Sequence, residues 1–414
     1  MSLKSVDFLT MDDFDFRGKT VFVRLDVNSP VNPQTGEILS FERFYSHVET
    51  IESLEGSKIV LLAHQSRPGK ADFMSLRGHA RAFSRILGRE VKFIDQLFGG
   101  QVRKDVSSME PDDIIMLENT RFYSEELLIN RDDARAMRNS NIVKGLSDLM
   151  DYYIIDAFPA IHRPQTTLIG FRSVLPNIAG KLIEKEVEAL QKFKSGNGNN
   201  KIAILAGAKI SDSINVAGKF LKNSITDTII TGGVVANAFL WAKGIDIGKK
   251  NREFIVKNNK KSDDLIEACR DLLSRYGDRI VLPSDFILMP SQRHIQAGET
   301  VPDDETIADI GIDSIATFSS IIEKADAIFL NGPLGMYEFE PYAAGTESIF
   351  YAVANSNAHT VVGGGHTIGA LNKMGLTKYI SHVSTGGGAL ISYLSGDSMP
   401  VLEALAESKK IYGS

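Results

Sequence analysis

Short apolar runs recur along the chain, and segments of helical length separate them. In the first half they are Val21–Val27, Ile59–Ala63, Ile114–Leu117 and Tyr153–Asp156. In the second half they are Ile202–Ala206, Thr228–Thr231, Ile280–Leu282, Ala327–Leu330, Thr360–Val362 and Tyr379–Val383. Continuous apolar runs bounded by Gly, Pro or polar residues suit strands buried on both faces, as in a parallel sheet. Between them, Leu76–Leu87 and Ile183–Phe193 space their apolar residues as one face of a helix does. Strands alternating with helices predict βαβ units.

The chain has 414 residues, enough for two or three domains. Ala179–Phe193 carries Leu182, Ile183, Val187, Leu190 and Phe193 on one helical face and lies between the two groups of strands. It is read as a helix joining two lobes, with a crossover helix of one large sheet as the alternative. Lys194–Asn200 reads as an exposed loop. The expected fold is α/β: two doubly wound parallel-sheet, Rossmann-like lobes joined by a helix and hinge.

Composition narrows the function classes. Hydrophobic residues make up 43% and charged residues 24%, as in ordinary globular proteins. Cys269 is the only cysteine, which excludes an internal disulfide and a cysteine metal cluster and fits a reduced, cytoplasmic setting. The net charge of -6 without a basic run argues against nucleic acid as a partner. No apolar stretch approaches the roughly 18 residues needed to cross a membrane. Residues 1–15 have no apolar core, unlike a signal peptide.

In open α/β sheets ligands bind beyond the carboxyl ends of the strands, so the residues following each run carry the chemistry. In the first half these are Arg24-Leu-Asp-Val-Asn28, His64-Gln-Ser-Arg67, Glu118-Asn-Thr-Arg121 and Asp156-Ala-Phe followed by His162-Arg163. Each strand end is expected to present Arg or His, and Arg43 lies in a separate segment after the first turn. Arginine offers a planar fork matched to phosphate and carboxylate. Any one of these residues alone could sit in its own surface ion pair. Several at equivalent topological positions favour an anion pocket.

The second half ends its strands with glycine: Ala206-Gly-Ala-Lys209, Thr231-Gly-Gly233, Asn331-Gly-Pro-Leu-Gly335, Gly363-Gly-Gly-His-Thr367 and Ser384-Thr-Gly-Gly-Gly388. Glycine turns let phosphate approach backbone amides, and a helix beginning just after adds its dipole. One such turn means little, but several in one half favour a nucleotide site. There is no P-loop, no opening G-x-G-x-x-G, no Cys or His pair at zinc spacing and no G-x-S-x-G elbow. A two-lobed protein holding an anionic substrate in one lobe and a nucleotide in the other suits phosphoryl transfer on closure.

These same segments resemble phosphoglycerate kinase over essentially the whole chain. The matching stretches are Val23–Pro30, Ala63–Pro68, Leu117–Tyr123, Asp156–Arg163, Gly207–Asp212, Asn331–Glu338, Gly345-Thr346, Gly363–Thr367 and Ser384–Gly388. The resemblance implies reversible transfer from 1,3-bisphosphoglycerate to ADP, giving 3-phosphoglycerate and ATP, a step of glycolysis and gluconeogenesis. It implies a first lobe over 1–175 that binds 3-phosphoglycerate, with the tail 400–414 packed back on it, and a nucleotide lobe over 176–399. By position, Asp26, Asn28, Arg43, His64, Arg67, Arg121 and Arg163 match the family's 3-phosphoglycerate site. Lys209, Asn331, Glu338, Gly364, Gly365 and Thr367 match its nucleotide site, with Glu338 on the ribose hydroxyls, and His366 falls in the same nucleotide-binding turn. Gly386, Gly387 and Gly388 form a phosphate-stabilising turn. Arg43 and Lys209 would flank the phosphoryl group in flight, and Mg²⁺ would enter as Mg-ADP or Mg-ATP.

Two positions depart from the family. Ser213 stands where a second Lys is usual, and His366 where an Asp usually binds the metal. Imidazole is a poor ligand for Mg²⁺, which prefers oxygen, so the protein ligand of the metal stays unassigned. The departures fit either a divergent, archaeal branch or an inactive homologue. Retention of Arg43, Lys209 and Glu338 favours an active enzyme.

Overall fold

The computed structural model describes residues 7–129, 133–195 and 200–413. Most of the loop expected over 194–200, and the last residue of the tail, lie outside the described residues. The chain divides into two compact units, one reaching Glu188 and resuming at Gly396, the other spanning Ala189–Ser395. The division falls inside the helix Lys181–Ser195 rather than ahead of it at 175.

The first unit holds six strands: β1 (Thr20–Arg24), β2 (Lys58–Leu62), β3 (Val91–Phe93), β4 (Ile114–Met116), β5 (Tyr152–Ile155) and β6 (Asn177–Ala179). They form one sheet in the order β3-β4-β2-β1-β5-β6, with every pairing parallel. Val21, Val23, Ile59 and Leu61 on one face and Phe22, Val60, Ile115 and Tyr153 on the other are all at or near zero exposure, so both faces of the sheet are covered. β1 is flanked by β2 on one side and β5 on the other, so the winding reverses there and opens a crevice at the carboxyl ends.

The last helix, Pro400–Tyr412, packs against β6 of this unit. Ser408 Oγ accepts from the Asn177 amide at 2.8 Å, and the Val401 amide donates to the Ile161 carbonyl. Arg172 pairs with Glu407 at 2.7 Å, and Lys409 with Asp7.

In the second unit the strands are β7 (Lys201–Leu205), β8 (Thr228–Thr231), β9 (Ile280–Val281), β10 (Asp285–Met289), β11 (His294–Gln296), β12 (Thr306–Ile310), β13 (Ala327–Asn331), β14 (His359–Gly363) and β15 (His382–Val383). Six of them make a second parallel sheet, β15-β14-β13-β7-β8-β9, which reverses between β7 and its neighbours β13 and β8. The other three form a small antiparallel sheet, β11-β10-β12, which the strand pattern does not anticipate. Among the described residues no helix is long and apolar enough to cross a membrane.

Candidate functional site

The first unit gathers its polar side chains on the loops leaving β1, β2, β4 and β5. Asp26 follows β1 and is 4% exposed. Its Oδ1 accepts from Arg43 Nη1 at 2.7 Å and from the Asn28 amide at 3.0 Å. Burial alone would raise its pKa, but the Arg43 guanidinium, the Asn28 N–H and Arg24 outweigh that and hold the carboxyl well below its usual range. Asn28 Oδ1 accepts from the Ser66 amide at 2.8 Å, which ties the loop after β1 to that after β2. Ser66 has φ 56°, the left-handed turn that aims Arg67 outward, where it is exposed. Arg121 donates from Nη1 to the Ser66 carbonyl, joining the loop after β4.

Three buried ring or guanidinium nitrogens in this region have no partner among the described residues: His64 Nε2, Arg121 Nε and His162 Nδ1. Unpaired buried donors are uncommon and call for a ligand or water. They lie close enough to feel one another. Burial first, then Arg24, Arg121 and Arg163, hold His64 well below its usual pKa, though Asp26 opposes them. Burial, with Arg163 and Arg24 adding to it, lowers Arg121 to about 10. Burial and the neighbouring guanidiniums likewise depress Arg163. So Asp26, Asn28, Arg43, His64, Arg121 and Arg163 are brought together, with Arg67 at the mouth.

Arg24 differs from expectation. It is fully buried rather than presented at the strand end, and its partner is Glu126 at 3.6 Å. His47 was not singled out by sequence. Its Nδ1 lies 2.7 Å from Asp156 Oδ2 and its Nε2 accepts from the Asp26 amide at 3.1 Å, bracing β1 against β5.

A larger concavity of about 860 Å³ lies elsewhere on this unit, lined mainly by residues that precede β1, β2 and β4. It sits largely at the amino ends of those strands, where open α/β sheets do not bind ligands. The chemistry gathers at the other end.

In the second unit a cavity of about 520 Å³ opens at the carboxyl ends of β7 and β13, within the usual size for a small-molecule site. Lys209, Asn331, Glu338, Gly364, Gly365, His366 and Thr367 all line it. The glycine turns interlock. Gly332 has φ 99°, and a Cβ there would meet the Ala206 carbonyl at 2.1 Å. Gly364 has φ 91°, and a Cβ there would meet Asn331 Oδ1 at 2.5 Å. Thr367 is fully buried, its Oγ1 accepting from the Gly332 amide at 2.7 Å, so it fixes one turn to the next. Gly365 begins the helix Gly365–Lys373 and is exposed, leaving amides free to meet an anion. Gly386, Gly387 and Gly388 do not line the cavity, but a Cβ on Gly387 would come 3.5 Å from the Gly364 amide.

Ser213 also lines the cavity, and Lys250, unremarked in the sequence, adds a second lysine beside Lys209. Asp309 was missed too. It is 2% exposed and accepts from the Gly345 amide at 2.7 Å and the Ile310 amide at 2.9 Å. Burial pushes its pKa up to about 7. With its oxygens so engaged, and with an imidazole at His366, the lining offers Mg²⁺ no free carboxylate beyond Glu338. These residues do not fit a protein-held Mg²⁺ at the phosphate end.

Among the described residues one other group, Asp285, His294 and Asp313, brings possible metal-binding atoms within 4.8 Å. Asp285 already receives Ser314 N at 2.8 Å, Asp313 N at 3.0 Å and His294 Nε2 at 2.7 Å. That carboxylate caps the helix Ile312–Glu323.

Comparison with known proteins points to one family. The phosphoglycerate kinase family model matches residues 11–397. A phosphoglycerate kinase of Thermoplasma volcanium is 61% identical over 98% of this chain and 99% of its own, and that of Thermoplasma acidophilum is 58% identical over the same shares. The crystal structure of phosphoglycerate kinase from Pyrococcus horikoshii superposes with a TM-score of 0.86 at 37% identity, covering 98% of this chain and 100% of that one. The chain belongs to the phosphoglycerate kinase family.

Proposed function

We propose that the protein catalyses reversible phosphoryl transfer from 1,3-bisphosphoglycerate to ADP, with the phosphoglycerate held by the first unit and the nucleotide by the second. The observation that carries the division of labour is the set of buried, partnerless nitrogens on His64, Arg121 and His162. In a region already rich in arginine, they match the carboxylate and phosphate oxygens of 3-phosphoglycerate.

The attacking group, a diphosphate oxygen or a carboxylate, is anionic at neutral pH. No general base is needed, and the protein's work is positioning and charge neutralisation. Arg67, Arg121, Arg163 and His64 bind the phosphoglycerate. Asp26 and Asn28 orient Arg43 and the Ser66 loop. Arg43 on the substrate side and Lys209 on the nucleotide side neutralise charge on the group in transfer. Gly364, Gly365 and the amide of His366 receive the nucleotide phosphates, Asn331 and Thr367 hold that turn, and Glu338 takes the ribose hydroxyls. Gly386–Gly388 supports the turn from outside.

Mg²⁺ accompanies the nucleotide, held by its phosphates and water, and no step is assigned to a protein-held metal. The partners are these small molecules, not nucleic acid or membrane, and the setting is the cytoplasm. The test is ATP formation from 1,3-bisphosphoglycerate and ADP with Mg²⁺. Turnover is expected. Binding of both substrates without turnover would instead mark a non-catalytic homologue.

A further inference from the structure

Arg24 is the last residue of β1 and is fully buried, as are Glu126 and His64. Its guanidinium is held on all three nitrogens. Nε donates to Thr167 Oγ1 at 2.8 Å, Nη1 to the Leu25 carbonyl, and Nη2 lies 3.1 Å from His64 Nδ1. Thr167 Oγ1 in turn donates to Glu126 Oε1 at 2.7 Å, and the Thr167 amide to Glu126 Oε2 at 2.8 Å. Thr120 Oγ1 adds a third donor at 3.2 Å. Glu126, on the helix Glu125–Leu128, and Thr167, on the helix Thr166–Ile169, therefore brace the guanidinium from outside the sheet.

A guanidinium in a protein is always protonated and has no acceptor. Nη2–H must therefore donate, and His64 Nδ1 must be the acceptor. A neutral imidazole with Nδ1 unprotonated carries its hydrogen on Nε2. That nitrogen is buried and has no partner among the described residues. A hydrogen on Nδ1 would face Arg24 donor to donor. A doubly protonated ring would add a cation among Arg24 on β1, Arg121 after β4 and Arg163 after β5, with Asp26 opposing and the nearby Glu126 already paired to Arg24.

We infer that Arg24, braced by Glu126 and Thr167, is a positioning residue that fixes His64 as the neutral Nε2–H tautomer, so that its one free hydrogen is aimed at an anionic oxygen of the phosphoglycerate. This rests on the reading that His64 contacts that substrate. The tautomer supplies a directional donor without a further positive charge. The arginines then supply the attraction, and the imidazole discriminates the position of one oxygen.

The first experiment is ¹⁵N NMR of histidine-labelled wild-type protein, with His64 assigned from the His64→Gln spectrum. Between pH 6 and 8 the His64 ring should show an unprotonated Nδ1 and a protonated Nε2. A protonated Nδ1, in either the neutral or charged ring, overturns the inference. The second uses the double variant Arg24→Met/Glu126→Gln, which removes both buried charges together. KM for 3-phosphoglycerate should rise about tenfold, the loss of about one good hydrogen bond, while KM for ATP stays put. If this variant folds and its 3-phosphoglycerate KM is unchanged, Arg24 does not position His64. Should it fail to fold, the wild-type spectrum still decides. His64→Gln, whose amide can both accept from Arg24 and donate outward, should retain more 3-phosphoglycerate affinity than His64→Ala. If His64→Ala leaves that KM unaltered, the substrate-contact reading fails, whatever the tautomer.

Discussion

Arg43 Nη1 lies 2.7 Å from Asp26 Oδ1, a half-buried guanidinium against a buried carboxylate. The pair orients Arg43 from within its own unit, so its charge is set in place rather than recruited. Arg43→Ala should lower kcat by about 100- to 1,000-fold, the range for loss of one preorganised charge-stabilising group. KM for nucleotide should change far less. Steady-state kinetics with each substrate varied check this, and an unaffected kcat removes Arg43 from the transfer step.

The glycine turns of the second unit allow a contrast between neighbours. Gly364→Ala places a methyl 2.5 Å from Asn331 Oδ1 at φ 91° and should destabilise the unit by about 1–3 kcal/mol. At Gly365 a Cβ would meet nothing within 4 Å, so Gly365→Ala should stay within about 0.5 kcal/mol of wild type. Under the proposed function its nucleotide KM should nonetheless rise, because the methyl would stand where that reading puts the phosphate against the backbone. Urea unfolding alongside ATP kinetics separates the two effects.

Asp309 should leave a signature in the pH dependence of stability. Its folded pKa of about 7 stands above the ordinary carboxylate value of 3.8. The folded state therefore binds the proton more tightly, and this group's contribution is fully present below pH 3.8 and lost as pH rises to about 7. Asp309→Asn should gain stability relative to wild type on going from pH 5 to pH 8. A difference between the two proteins that is flat with pH would show that Asp309 titrates normally.

His366 is exposed at the cavity edge. If it contributes chiefly its backbone amide, His366→Ala keeps most of the activity with Mg-ATP. A total loss in the same assay would mean that the imidazole itself acts on the nucleotide.

Leu405 is fully buried in the helix Pro400–Tyr412. Leu405→Ala should cost about 2–5 kcal/mol, the cost of a cavity in a packed core, as read from chemical denaturation. No effect would mean that the tail does not support the first unit's core.

The central strands are legible in the sequence because burial on both faces leaves an unbroken apolar run. Ile59–Ala63 and Thr228–Thr231 were read within a residue of β2 and β8. β3 and β6 are not legible, because Lys92 interrupts β3 and β6 begins with a polar Asn177, so neither shows an unbroken apolar run. Of the antiparallel sheet, β11 carries no apolar run, since His294–Gln296 alternates exposed and buried residues, whereas residues 286–289 of β10 are an apolar run that the sequence reading passed over. Among candidate site residues, those on strand-end loops could be named from position and chemical type. Arg24 could not be told from its neighbours, since what buries it is Glu126, a hundred residues on and on an unrelated helix. Asp309 stands among other acidic residues, Glu305 and Asp313, and what raises its pKa is burial in the fold, which the local sequence does not announce.

The return of Pro400–Tyr412 to β6 makes the second unit an insertion within the first. On the ribosome the first sheet cannot receive its covering helix until all of Ala189–Ser395 has been synthesised. The second unit can complete its own fold first, although its sequence comes second.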